Sequence, residues 1–177
     1  MHNDIFKRAP HNPPHLFLPK TLYMLTASTY PREHLMRSPD RKMAWLESFL
    51  KAAEIYEWRV IAWVILHNHY HAIVQSPETA KTLSKFTGSY HKYTSRKWND
   101  EEESKGRQVW WNYWDTCLLS EHDYYARLRY VFWNPVQHKI CNRPDEYHFS
   151  SYKEFLANWD VDFNFAKMDE VTDVPEF

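Results

Sequence analysis

The chain has 177 residues, 44% of them apolar and 18% aromatic, enough to bury the core of one domain. Two glycines exclude the glycine-rich phosphate loops that hold nucleotide cofactors, and two cysteines, Cys117 and Cys141, exclude a disulfide framework or a cysteine metal cluster. The net charge of −1 conceals an asymmetry: from Glu154 onward seven acids face one lysine, a net −6, which leaves +5 on residues 1–153.

Residues 1–17, rich in proline and histidine, read as an N-terminal arm, 18–155 as the folded core and 156–177 as an acidic tail, all within a single domain. The polar start and the absence of a membrane-length apolar run imply a cytoplasmic protein with ordinary thiols. Residues 22–29 combine apolar and β-branched side chains and predict a strand, followed by a loop over 31–40. Ser38 is placed to cap a helix over 41–57, whose inner face would be Trp45, Phe49, Ala52 and Tyr56.

Residues 60–75 form the longest apolar run, too short for a membrane span. It reads either as one buried helix or as two strands; its β-branched and aromatic residues favour strands turning at His67-Asn68. On the second strand His69 and His71 then share a face with Ile73, while Tyr70, Ala72 and Val74 point the other way. Two neighbouring imidazoles can hold a divalent metal. They can equally be ordinary histidines: with 11 in the chain, roughly one His-x-His pair arises by chance, and His67/His69 overlaps His69/His71.

A second helix is predicted from 76–79 to about 98, with Leu83, Phe86, Tyr90 and Tyr93 inward. Lys81, Lys85, Lys92 and Arg96 follow helical steps along one stripe, and no acid lies between Glu78 and Asp100. Solvated helix faces normally mix signs, so a one-sign stripe interleaved with aromatics is a candidate for contacts to a DNA backbone. Residues 109–119 are strand-like. Ser120 and Asp123 then resemble a capping box for a third helix, expected to end near Trp133 or Asn134 because Pro135 disfavours helical geometry in the residue before it. The order predicts an α+β, ferredoxin-like β-α-β-β-α-β fold. Two helices would cover one face of a four-stranded antiparallel sheet, and the added, tyrosine-bearing helix the other. On that helix Tyr130 and Asn134 are four apart and share a face; an Asn amide oxygen suits a hard cation that already has two imidazoles.

Four segments together resemble a known family. Asn68-His69-Tyr70-His71, followed by Ala72, Ile73 and Val74, is similar to the His-hydrophobic-His (HUH) signature, and Tyr130 with Asn134-Pro135-Val136 is similar to the tyrosine helix and its trailing Asn-Pro-Val. The aromatic-Asp stretch 110–115 and the YHFSSY stretch 147–152 match as well, in the family's order. The chain thus resembles the single-tyrosine HUH transposases, most of all the REP-associated branch, over about residues 18–155. It departs from the pattern at Tyr70, bulkier than the usual aliphatic residue, and at Gln137-His138-Lys139, where the family often has a glycine.

The resemblance implies a transposase that nicks and joins single-stranded DNA beside a hairpin. It implies Tyr130 as nucleophile, forming a 5′-phosphotyrosine, and His69, His71 and Asn134 as ligands of Mg²⁺ or Mn²⁺. The stored phosphodiester link makes a nucleotide cofactor unnecessary. The REP-associated branch implies a monomer rather than a homodimer. Two alternatives stand beside this reading: an inactive DNA or RNA hairpin binder on the same fold, and a phosphoesterase that uses metal-bound water, with Tyr130 merely structural.

Overall fold

The computed structural model describes residues 6–7, 15–31, 33–158 and 168. Most of the expected arm and most of the acidic tail lie outside the described residues. Within the described part of the arm, Phe6–Lys7 pairs with His15–Leu16 in a two-residue ladder separate from the main sheet.

The main sheet contains β1 (Leu22–Ser28), β2 (Arg59–Ile65), β3 (His69–Gln75) and β4 (Trp114–Leu118). Its order is β2-β3-β1-β4, and every pairing is antiparallel. Strand alternation sorts the side chains into two layers. Tyr23, Leu25, Ala27, Tyr70, Ala72 and Val74 enter one core beneath α1 (Pro39–Ile55) and α2 (Leu83–Glu101). Met24, Val64 and Ile73 enter the other, beneath α3 (Glu121–Gln137). A bulge between Val60 and Ala62 lets β2 change phase, so Ile61 and Ala62 both serve the α3 side. This is the ferredoxin-like arrangement expected from the order of elements, and 60–75 is two strands rather than a helix.

Ser38 caps α1 by accepting from the Arg41 amide at 3.2 Å, and Trp45 and Phe49 are fully buried on its inner face. Three expectations are corrected. Residues 76–79 do not open α2: the Ser76 hydroxyl is committed to the Leu18 carbonyl and the Thr21 amide, and only a short 3-10 turn (Ala80–Thr82) leads into the helix. Tyr93 is 52% exposed, because the inner stripe of α2 advances by fours through Phe86, Tyr90, Thr94 and Trp98. The strand expected over 109–119 is confined to β4. Trp110 turns into the core instead, stacks on His91 at 4.5 Å and donates its Nε1–H to Thr94 Oγ1.

Helix α3 begins as expected, with Ser120 Oγ accepting from the Asp123 amide at 3.0 Å. It does not stop at Trp133 or Asn134 but carries Pro135 inside it and runs to Gln137. Only Val131 loses a helical donor to the proline ring, and the end is secured by Ile140 N–H to Pro135 O and Lys139 N–H to Val136 O, both 2.9 Å. Lys139 takes the left-handed position of this cap, at φ 56°, where a glycine is ordinarily favoured. Among the described residues no helix is long and apolar enough to cross a membrane, and both cysteines are free thiols.

Candidate metal centre and nucleophile

The site forms where the start of β3 passes beneath the last turns of α3. His69 and His71 emerge on the α3 face, ring centroids 5.1 Å apart. The expected alternation holds, with Tyr70 between them fully buried on the opposite face. His67, which the sequence left as an overlapping partner, sits in the turn against His34 at 5.8 Å and outside this pair.

Each imidazole is oriented from behind. His71 Nδ1 lies 2.7 Å from Oγ1 of Thr26, its register partner on β1. His69 Nδ1 lies 2.8 Å from Oδ1 of Asn68. When Nδ1–H donates to these oxygens, both Nε2 atoms carry bare lone pairs on the site side. His71 Nε2 is buried with no hydrogen-bond partner. Burial, followed by the charges of His69, His138 and Arg127, holds the His71 pKa well below the ordinary value. His71 is therefore a neutral lone-pair donor at neutral pH.

Because α3 continues through Pro135, Asn134 stays helical, one turn beyond Tyr130 and on the same side. Its Oδ1 is 3.4 Å from His69 Nε2, and its buried Nδ2 has no hydrogen-bond partner. With both imidazoles in that tautomer, the two acceptors His69 Nε2 and Asn134 Oδ1 repel unless a cation lies beside them, so the lone pairs of His69, of the Asn134 oxygen and of the unpartnered His71 Nε2 fit a divalent ion. Among the described residues no group of three His, Cys, Asp or Glu side chains is placed to hold a metal ion. The Tyr130 ring packs edge-on against His71 at 4.8 Å and is 7% exposed. Tyr125 is buried in the α3-side core and Tyr124 packs against it at 5.5 Å.

Sequence reasoning missed two supporting groups, Thr26 and His138. Thr26 is visible only once the β1–β3 register is known. His138, at the cap of α3, has its ring 5.0 Å from that of His69. Arg127 is half-buried and electrostatically coupled to both Tyr130 and His71, whereas Arg129 stands over the Trp133 ring at 5.3 Å and donates to the Met168 carbonyl. Lys81, Lys85, Lys92 and Arg96 are all solvent-exposed. They belong to the helical layer on the opposite side of the sheet, so the fold does not bring these cations to the histidines. Lys81 also lies in the 3-10 turn, not in α2.

The family profile described as "Transposase IS200 like" matches residues 19–125, a span that holds His69 and His71 and ends before Tyr130 and Asn134. A Haemophilus influenzae protein described as a REP-associated tyrosine transposase is 22% identical over 130 residues, which cover 64% of this chain and 74% of that protein. Among solved structures, a REP-associated tyrosine transposase bound to a REP hairpin superposes with a TM-score of 0.69 at 18% identity, covering 92% of each chain. That superposition bears on the fold.

Proposed function

The chain belongs to the IS200-like transposase family, and we propose that it nicks and rejoins single-stranded DNA beside a hairpin through a covalent 5′-phosphotyrosine at Tyr130. The observation that supports this reading is the cluster of the His69 and His71 rings, 5.1 Å apart, with Asn134 Oδ1 3.4 Å from His69 Nε2 and the Tyr130 ring 4.8 Å from His71, whose buried Nε2 has no hydrogen-bond partner. Mg²⁺ or Mn²⁺ held by His69, His71 and Asn134 would supply Lewis-acid polarisation of a phosphate oxygen.

The chain's own groups account for the remaining steps. Thr26 and Asn68 hold the imidazoles in register, and the rigid last turns of α3 present Tyr130 and Asn134 together. The Tyr130 oxygen attacks phosphorus, the bond from phosphorus to the 3′ oxygen breaks, and the proton lost by the phenol matches the one gained by the leaving 3′-OH. A phenol with an ordinary pKa near 10 needs a cationic setting, and Arg127 supplies one next to it. Attack by a second 3′-OH reverses the step and joins strands without ATP. The hairpin bound to the structurally similar transposase supports a hairpin as the recognised element.

Labelled single-stranded hairpin DNA incubated with Mn²⁺ and run on a denaturing protein gel tests the proposal. The expected result is a protein–DNA adduct that disappears with EDTA and with Tyr130→Phe. Free phosphate ends that persist with Tyr130→Phe would instead identify a phosphoesterase, and metal-independent binding without an adduct would identify a hairpin-binding protein.

A further inference from the structure

The histidine face of the sheet continues past the candidate metal centre to the edge strand β4. The pairing register sets His71 opposite Thr26, and Thr26 opposite Trp114. The Thr26 hydroxyl reaches His71 Nδ1, so this cross-strand row points to the α3 side. Directly opposed residues share a face, and Trp114 therefore points the same way. Leu118, four residues along β4 on the same face, lies in the α3-side core and fixes the phase independently. Helix α3 packs with Leu118 at one end of β4, whereas Trp114 at the other end is half-exposed.

Two strand spacings of about 4.8 Å put the Trp114 backbone roughly 10 Å from that of His71. That is about one to three nucleotides along a DNA strand. Trp114 is 52% exposed, and its ring stacks on no other aromatic ring among the described residues. Trp111, the other exposed tryptophan nearby, already has the Tyr30 ring against it at 4.4 Å. Arg127, coupled to Tyr130 and His71, adds positive charge on the same side of the sheet.

We infer that Trp114 is a stacking platform for an unpaired base of the DNA strand whose phosphate is held at the histidines. The inference rests on the transposase reading for its ligand class. An indole face accepts any of the four bases, so Trp114 contributes affinity and strand placement without sequence readout.

The test uses the full chain in EDTA, with fluorescence anisotropy on a labelled oligothymidylate and on a length-matched abasic strand. The unaltered chain should bind oligothymidylate more tightly than the abasic strand. Trp114→Ala and Trp114→Leu should weaken oligothymidylate binding about 5- to 150-fold, Trp114→Tyr should largely retain it, and abasic binding should stay unchanged in all three. Trp114→Leu keeps apolar bulk at the edge strand, which separates loss of the π-face from loss of folding. The inference is overturned if the unaltered chain fails to distinguish the two strands, if the variants weaken both equally, or if Trp114→Leu binds like the unaltered chain. No metal or nucleophile enters this assay, so an absent phosphotyrosine adduct would fail the transposase reading while leaving this result readable.

Discussion

Tyr70 occupies the position between the two candidate ligand histidines, where its bulk requires accommodation. Its ring is fully buried, 4.3 Å from Trp45, and its hydroxyl lies 2.8 Å from the Tyr90 hydroxyl and 3.0 Å from His91 Nε2. Tyr70→Phe keeps the ring and removes the oxygen, leaving the buried Tyr90 hydroxyl and the half-buried His91 Nε2 short of a partner. Stranding such a group costs about 1–3 kcal/mol, so the substitution should destabilise the chain by about 2 kcal/mol. For a chain of this size that corresponds to a fall in Tm of roughly 4–8 °C. Urea and thermal melts of Tyr70→Phe, Tyr90→Phe and the double variant measure it. Once Tyr90 has no hydroxyl to strand, the second change should cost less, so the double variant should lose less than the sum of the singles. Manganese affinity should be preserved, because the β3 backbone ladder and the histidine face are untouched. A loss below about 0.5 kcal/mol for Tyr70→Phe, with additive singles, would refute the idea that this hydroxyl network holds the strand.

Four further outcomes are expected. Lys139→Gly should stabilise the chain by about 1 kcal/mol in a urea melt, because Lys139 carries φ 56° at the end of α3 and glycine removes the left-handed penalty. Burial pushes the His91 pKa down to about 3, below its unfolded value near 6.5; the unfolded chain then binds more protons in that window, and stability present above pH 6.5 is lost as the pH falls toward 3. Since the imidazole keeps some solvent access, the loss from this group between pH 7 and 5 should be about 1 kcal/mol, and His91→Gln should flatten the Tm-versus-pH curve over that range. His69→Ala and Asn134→Ala should each weaken Mn²⁺ binding by about tenfold or more in calorimetry, with melting curves in EDTA close to the unaltered chain. Neutralising Lys81, Lys85, Lys92 and Arg96 together should lower the salt slope of single-strand binding by about 3 if all four touch phosphates; an unchanged slope would remove that helix face from the DNA path.

Much of the architecture follows from short-range pattern. The alternation in 69–75 placed His69 and His71 on one face and Tyr70 on the other. Ser38 and Ser120 announced the starts of α1 and α3, and the element order implied the sheet. The stops were harder to read, because a local rule can be outweighed. Pro135 forbids one hydrogen bond, but Lys139 and Ile140 supply others just beyond it, and α3 continues far enough to keep Asn134 helical. Ser76 looks like a helix cap, but tertiary partners at Leu18 and Thr21 claim its hydroxyl.

By itself the sequence determined which residues are candidates for chemistry and how each alternates or steps along its own element, since periods of 2 and 3.6 are properties of a strand or helix alone. Only the tertiary structure decided what they meet. Thr26 lies 45 positions from His71, and His69 lies 65 from Asn134; sheet register and the crossing of α3 bring these pairs into contact. The same register puts Trp114 in line with His71 and leaves the cationic stripe of α2 on the far side of the sheet. Such distances depend on how separate elements pack, and no local period in the chain encodes them.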